Sequence, residues 1–465
     1  MECLKQNQML PLFIAGPTFF IVLSIMLLAG SPTGAMAGAM VGCGEPFAFN
    51  GAPVNVIVVQ YHFDEGKEYD AGFSDMILNT AMRLTWLIKL DLFLNAQYGG
   101  LGIVSHIEDR RPELCDAEEI ERKLYQGLVT PQQGVVIVSG RIYQKDDDIF
   151  FQTYAKRVRL SKESPPFPEI DTVKIAVEDR RGNTIKLASS IPGETITFPP
   201  RRMRLADLKK IEDVFAEAAK VYSKPEAGKV EYTIELDPRR PTAFSVTSIR
   251  ADGWIEIHSF FDDRGGWVRL KPKDANNVHH YLPEIDLING LVGYLRLRQS
   301  FEGGRFEANP LPMLERMNRS FNRYVERGPA VAGAQPAAVA SSLSGTAFLL
   351  KGGKLATQMA LAEFEKAIEN QPYNADLLNL KAIAEANLGF RYEEPTTAVQ
   401  AVRTNLLDAL SLKPNNTYTI GNLEALYAYL TGQPQLISAM PDNPTVDQLQ
   451  SSRRRLKKMQ ELLQK

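Results

Sequence analysis

Cysteine is the first scarcity: three in 465 residues, beside three tryptophans and five histidines. No Cys-x-x-Cys pair occurs, which argues against zinc ribbons and thioredoxin-type redox pairs. Neither sign of charge dominates, because 53 Lys and Arg face 55 Asp and Glu for a net of −2. A chain without a basic field is poorly suited to neutralising phosphates, so no nucleic-acid partner is expected. HExxH, the phosphate-cradling Gly-x-x-x-x-Gly-Lys, a post-strand GxGxxG and Gly-x-Ser-x-Gly are all missing. Nothing assembles a nucleophile, a base and an orienting group, so no enzyme activity and no cofactor are expected.

Long apolar runs are also scarce, with one exception at Thr18–Gly30. Pro11 and Pro17 interrupt the chain before it, and Gly30-Ser31-Pro32 breaks it afterwards. A membrane-spanning helix needs about 20 apolar residues, whereas a signal-peptide core needs about 7–15. Ala35-Met36-Ala37 supplies a small-x-small cleavage pattern, so residues 1–37 are expected to be a signal peptide with Gly38 as the mature start. An uncleaved anchor over Leu12–Ala29 is the alternative, and both place the bulk of the chain outside the cytoplasm, in the periplasm or envelope. Cys43 follows Met40-Val41-Gly42, a poor lipobox too far beyond the apolar core. Cys3 leaves with the signal, so the mature chain keeps Cys43 and Cys115. In an oxidising compartment these two can pair, worth about 4 kcal/mol for so long a loop, or remain two free thiols.

What remains is a chain of ordinary hydrophobic content, 44%, long enough for about three domains. Val54–Phe63 is a β-branched run that predicts a buried strand. Apolar residues at helical spacing from Phe73 to Ile88 predict a helix over about 71–95. Leu101–Ile107 predicts a second strand, and Asp116 caps a short helix to about Gln126. Two further strands flank Lys145-Asp146-Asp147-Asp148, a hairpin turn. This order resembles the amino-terminal domain of TolB and the related FlgO and CsgG envelope domains. Gly72-Phe73-Ser74-Asp75 and Val136-Ile137-Val138-Ser139-Gly140-Arg141-Ile142 carry the likeness, over residues 52–162. The resemblance implies a docking or assembly role in the bacterial envelope and carries no catalytic site.

Residues 163–225 read as a β-hairpin turning at Arg180-Arg181-Gly182-Asn183, then a connecting helix from about Leu205 to Tyr222. Gly253-Trp254 and Gly266-Trp267 each precede alternating apolar residues, and residues 226–275 resemble a small bacterial Src-homology-3-type barrel. The resemblance implies recognition of cell-wall components or protein. Trp254 and Trp267 are the candidate binding residues, with filling of the barrel as the alternative. Residues 280–327 predict two helices, and 328–336 a small-residue linker.

From 337 to 465 the pattern resembles tetratricopeptide repeats. Ala360, Phe364, Ala367 and Pro372 match a second repeat helix; Gly345 and Phe348 sit at first-helix positions, as do Ala382 and Gly389 one unit later. The resemblance implies protein binding on a concave face. The fold class expected is therefore multidomain α+β: an α/β amino-terminal domain, a small β-barrel and a carboxyl-terminal helical-hairpin solenoid. The chemistry-bearing leftovers read blandly. His279-His280 is a loop pair, Asp146–Asp148 a solvated hairpin tip, and Arg453–Arg455 with Lys457 and Lys458 a solvated helix face, lipid contact being the alternative. The function expected is an exported envelope scaffold or adapter that binds proteins, peptidoglycan being a further candidate partner and peripheral membrane association an option. The rivals are a wall-modifying hydrolase and a membrane-anchored regulatory adapter.

Overall fold

The computed structural model describes residues 54–59, 61–63, 88, 105–110, 134–145, 148–159, 169–203, 220–234, 244–250, 253–259, 264–269, 282–302, 304–393, 395–432 and 445–463. Thr18–Gly30, Cys43, Cys115, His279 and His280 lie outside them, as do the helices expected at 71–95 and 116–126, apart from Ile88, which is helical and buried. The described residues all belong to one unit, Met40–Lys465.

Its largest sheet begins with β1 (Val54–Val59), followed by β2 (His62–Phe63), β3 (Ser105–Arg110), β4 (Gly134–Lys145) and β5 (Asp148–Arg159). With β8 (Thr195–Thr197) and β9 (Arg201–Met203) these make seven strands in the order β3-β1-β4-β5-β8, with β2 on β4 and β9 on β5. β1 runs parallel to both neighbours, Val54 opposite Ser105 on one side and Gly134 on the other. That position explains its unbroken Val and Ile content, since a central parallel strand is covered on both faces. β4 and β5 form the expected antiparallel hairpin, Lys145 facing Asp148 across the turn.

One helix serves as the hub. α1 (Glu284–Gln299) is buried almost all round and packs on β1, β4 and β5. Such a helix has no polar stripe to offer water, which is why its sequence shows little amphipathic periodicity. α2 (Leu311–Val325) lies against it, and Gly290 is what allows the approach: a Cβ there would stand 2.2 Å from Phe321 Cε1. In an open helix Gly→Ala gains about 1 kcal/mol. Here overpacking should win, so Gly290→Ala is expected to cost about 1–3 kcal/mol in a urea denaturation series.

The stretch 328–336 is helical: α3 (Pro329–Ala332) leads through Gly333 into α4 (Ala334–Lys351). α5 (Lys354–Asn370), α6 (Ala375–Tyr392), α7 (Pro395–Leu412), α8 (Thr417–Leu430) and α9 (Val446–Leu463) complete the helical carboxyl-terminal part. α4 pairs with α5, α6 with α7 and α8 with α9, as consecutive helical hairpins. Gly389 lets α6 meet α7, because a Cβ would fall 2.0 Å from that of Ala398. Asn374 and Asn416 begin α6 and α8, each side chain accepting two backbone N–H bonds. No helix among the described residues is long and apolar enough to cross a membrane.

Among the described residues the expected barrel is corrected to an open sheet. β10 (Lys220–Tyr222), β11 (Val230–Thr233), β12 (Phe244–Ile249), β13 (Trp254–Ser259) and β14 (Gly265–Arg269) run in the order β11-β10-β14-β13-β12, with no pairing between β11 and β12. β10 lies where the end of a helix was expected at Tyr222. Tertiary pairing with Trp267 makes that segment a strand despite the helical spacing before it.

Candidate functional site

The carboxyl-terminal helices enclose a groove, and that groove holds a piece of this chain. β6 (Thr172–Glu178) and β7 (Thr184–Ser190) form a separate two-stranded sheet. β7 lies on α8 and α6, and β6 on α6 and α4. Val173, Val177, Ile185, Leu187 and Ile191 are buried, while Lys174, Glu178, Thr184 and Lys186 stay exposed. Alternation thus places one hairpin face in the core and the other in water.

The ladder parity decides which backbone groups reach the helices. Ile191 N–H donates to the Asp171 carbonyl and Asp179 N–H to that of Asn183, so odd-numbered residues of β6 make the cross-strand bonds. Ala188, opposite Lys174, therefore directs its N–H and C=O away from β6. Two buried asparagines meet them. Ala188 N–H donates to Asn422 Oδ1 at 2.9 Å, and its carbonyl accepts from Asn422 Nδ2 at 2.8 Å and Asn379 Nδ2 at 3.0 Å. Asn422 Nδ2 also donates to Asn379 Oδ1 at 2.9 Å, which locks the two amides in one orientation. These contacts read main chain and ignore the side chain of the residue held.

Further polar contacts extend along the groove. Ser190 Oγ donates to Asp376 Oδ1, which also accepts from Asn416 Nδ2, both at 2.8 Å. Near the turn, Tyr429 donates to Asp179 at 2.7 Å and Arg180 to the Tyr392 carbonyl at 3.0 Å. Burial works against the Asp179 anion. Bonds from the Asn183 side chain, Tyr429 and the N–H groups of Asn183 and Arg181 outweigh it and bring the pKa from 3.8 to about 2. Burial and the Asp179 charge push Tyr429 up to about 12. A carboxylate depressed in the folded state contributes stability above its unfolded pKa and loses it on acidification. The hairpin tip should therefore loosen as the pH falls from about 4 toward 2. Asp179→Asn should flatten that part of the acid profile in hydrogen exchange of the tip amides.

The base of the hairpin is held by charge. Asp171 contacts Arg157 Nη1 directly, Arg298 Nε at 3.2 Å, Arg159 Nη1 at 3.7 Å and the Tyr294 hydroxyl at 3.0 Å. Burial alone would raise its pKa, but Arg157, Arg298 and Arg159 outweigh it and hold the carboxyl below its ordinary value. Elsewhere on α1, burial raises Glu284 against the opposing pull of Arg201 at 3.1 Å, and Asp286 pairs with Arg323 and Arg327. These carboxylates are committed to arginines that tie α1 to its neighbours.

Of the residues expected to bind, Trp254 is buried and packs edge-on against Tyr222 at 5.3 Å, while Trp267, half-buried, faces Tyr222 across the ladder. The basic cluster divides: Arg453 donates to the Pro414 carbonyl and Arg455 to Glu424, both anchoring α9, while Arg454, Lys457 and Lys458 are exposed. No group of three or more His, Cys, Asp or Glu among the described residues is placed to hold a metal. An open cleft of about 520 Å³ lies between α2, α4 and α5 over Leu314 and Phe348. The groove asparagines escape sequence patterning because α6 and α8 carry other buried polar residues, Asn387 and Glu424 among them, and nothing in the spacing singles out the two that meet Ala188.

Comparison with family profiles, with characterised proteins and with solved structures finds no match.

Proposed function

We propose that this chain is a non-catalytic scaffold or adapter of the bacterial cell envelope, exported by its amino-terminal segment. Its tetratricopeptide-like helices bind partner proteins, and the Trp254 and Trp267 sheet contributes a second contact, with peptidoglycan as an additional partner class. One observation carries the reading: the helical groove holds an extended polypeptide by its main chain, through Asn379 and Asn422. A face that grips backbone amides is chemically suited to other polypeptides of the same conformation. The envelope address rests on Thr18–Gly30 and Ala35-Met36-Ala37.

The test is crosslinking of the full-length chain in intact envelopes, with amino-terminal sequencing of the recovered protein. Specific protein partners and a start at Gly38 are expected. Recovery of no partner, or release of sugar or peptide from purified wall by the chain itself, overturns the reading.

A further inference from the structure

We infer that the α6–α8 groove is a binding site for extended peptide segments and that the β6–β7 hairpin is its resident, competing ligand. For its partner class the inference rests on the adapter reading above.

Three features make the hairpin a ligand as much as a core element. It is a sheet of its own, continuous with neither the seven-stranded nor the five-stranded sheet. Its grip at Ala188 uses only the main-chain N–H and C=O, which any extended residue offers. Beyond Ala188 the bonds to the helices are few: Ser190 to the Asp376 carboxylate at one end, Arg391 to the Ala176 carbonyl on β6, and the tip to Tyr429 and Tyr392. By contrast, the base is pinned to α1 and β5 through Asp171. The chain is therefore tethered where the hairpin begins and gripped by backbone contacts where it crosses the groove.

The resident strand also states what an incoming segment must look like. It needs aliphatic residues at the alternate positions of Ile185 and Leu187, since these are the side chains the hairpin buries. Just after them it needs no specific side chain where Ala188 stands, because both asparagine amides there read the backbone. The ligand class is thus an extended protein segment of alternating aliphatic and polar residues. The resident competes at the high effective concentration of a tethered ligand, so the intact chain binds such a segment weakly.

The test uses a fluorescein-labelled peptide of the resident sequence, Thr184–Ile191, and anisotropy against full-length protein in two forms. In one, residues 174–188 are replaced by a short glycine–serine loop. In the other, Ala188→Pro removes the N–H given to Asn422 while sparing the β6 ladder, which does not use that group. Both should bind the peptide at least about tenfold more tightly than the intact chain, that being the worth of one hydrogen bond of this kind. Adding Asn379→Ala and Asn422→Ala to the loop form should remove the gain. Binding no tighter than to the intact chain in either form, or tight binding indifferent to both asparagines, overturns the inference. If the loop form does not fold, as judged by circular dichroism, the Ala188→Pro form decides alone. Envelope partners captured equally by the intact and Ala188→Pro chains would leave the adapter reading standing and remove the resident ligand. Peptide binding as expected with no envelope partner would do the reverse.

Discussion

Asp171→Asn is expected to lower the unfolding free energy by about 3–5 kcal/mol, the cost of leaving buried charges without their counter-charge. The side chains of Arg157 and Arg298 are 2% and 8% exposed and cannot turn to water when the carboxylate is lost. Asn preserves the shape, so the loss reports charge rather than a cavity. Arg159 supplies the control, being 33% exposed and 3.7 Å from Asp171. Arg159→Gln should cost no more than about 1 kcal/mol, as solvent-reached pairs do. A pH series checks the cause. Because the Asp171 pKa is depressed in the folded protein, the native chain should lose this contribution as the carboxylate protonates and converge on the variant in acid. A urea midpoint for Asp171→Asn within error of the Arg159→Gln value would show that the two buried arginines are satisfied elsewhere.

The paired substitution Asn379→Ala with Asn422→Ala should cost about 2–4 kcal/mol, since a buried backbone donor and acceptor each forfeit about 1–3 kcal/mol when left unmet. Asn422 should matter more than Asn379. It alone serves the Ala188 N–H, and it also satisfies Asn379 Oδ1. The two effects should not add, because each amide orients the other. Hydrogen exchange gives the sharper readout: the Ala188 amide should lose protection in Asn422→Ala, while the amides of Leu187 and Ser189, which bond across to β6, keep most of theirs. Equal loss along the whole of β7 would mean that the hairpin leaves the groove as a unit.

Local pattern was a sound guide wherever one segment sets its own structure. The run from Val54 became β1, the Arg180–Asn183 turn joined β6 to β7, and Pro372 and Pro414 ended up just past α5 and α7. Gly389, at a first-helix position of the repeat pattern, is where α6 meets α7. Pattern failed where long-range pairing decides. Helical spacing ran on to Tyr222, yet a cross-strand partner at Trp267 made it part of β10. The repeated Gly-Trp announced strands, while their closure depends on whether the outer strands meet, and β11 and β12 do not pair.

By itself, then, the sequence determined β1, the β4–β5 and β6–β7 hairpins and the helical hairpins of the carboxyl-terminal part. These follow from side-chain periodicity and turn chemistry, which act within a few residues. Only the tertiary structure decided that the helical groove is filled from within. Asn422 and Ala188 lie 234 positions apart, and the bond between them depends on ladder parity and main-chain direction, neither of which a side-chain pattern records. The same contact turned a surface expected to be open into one with a ligand already in place.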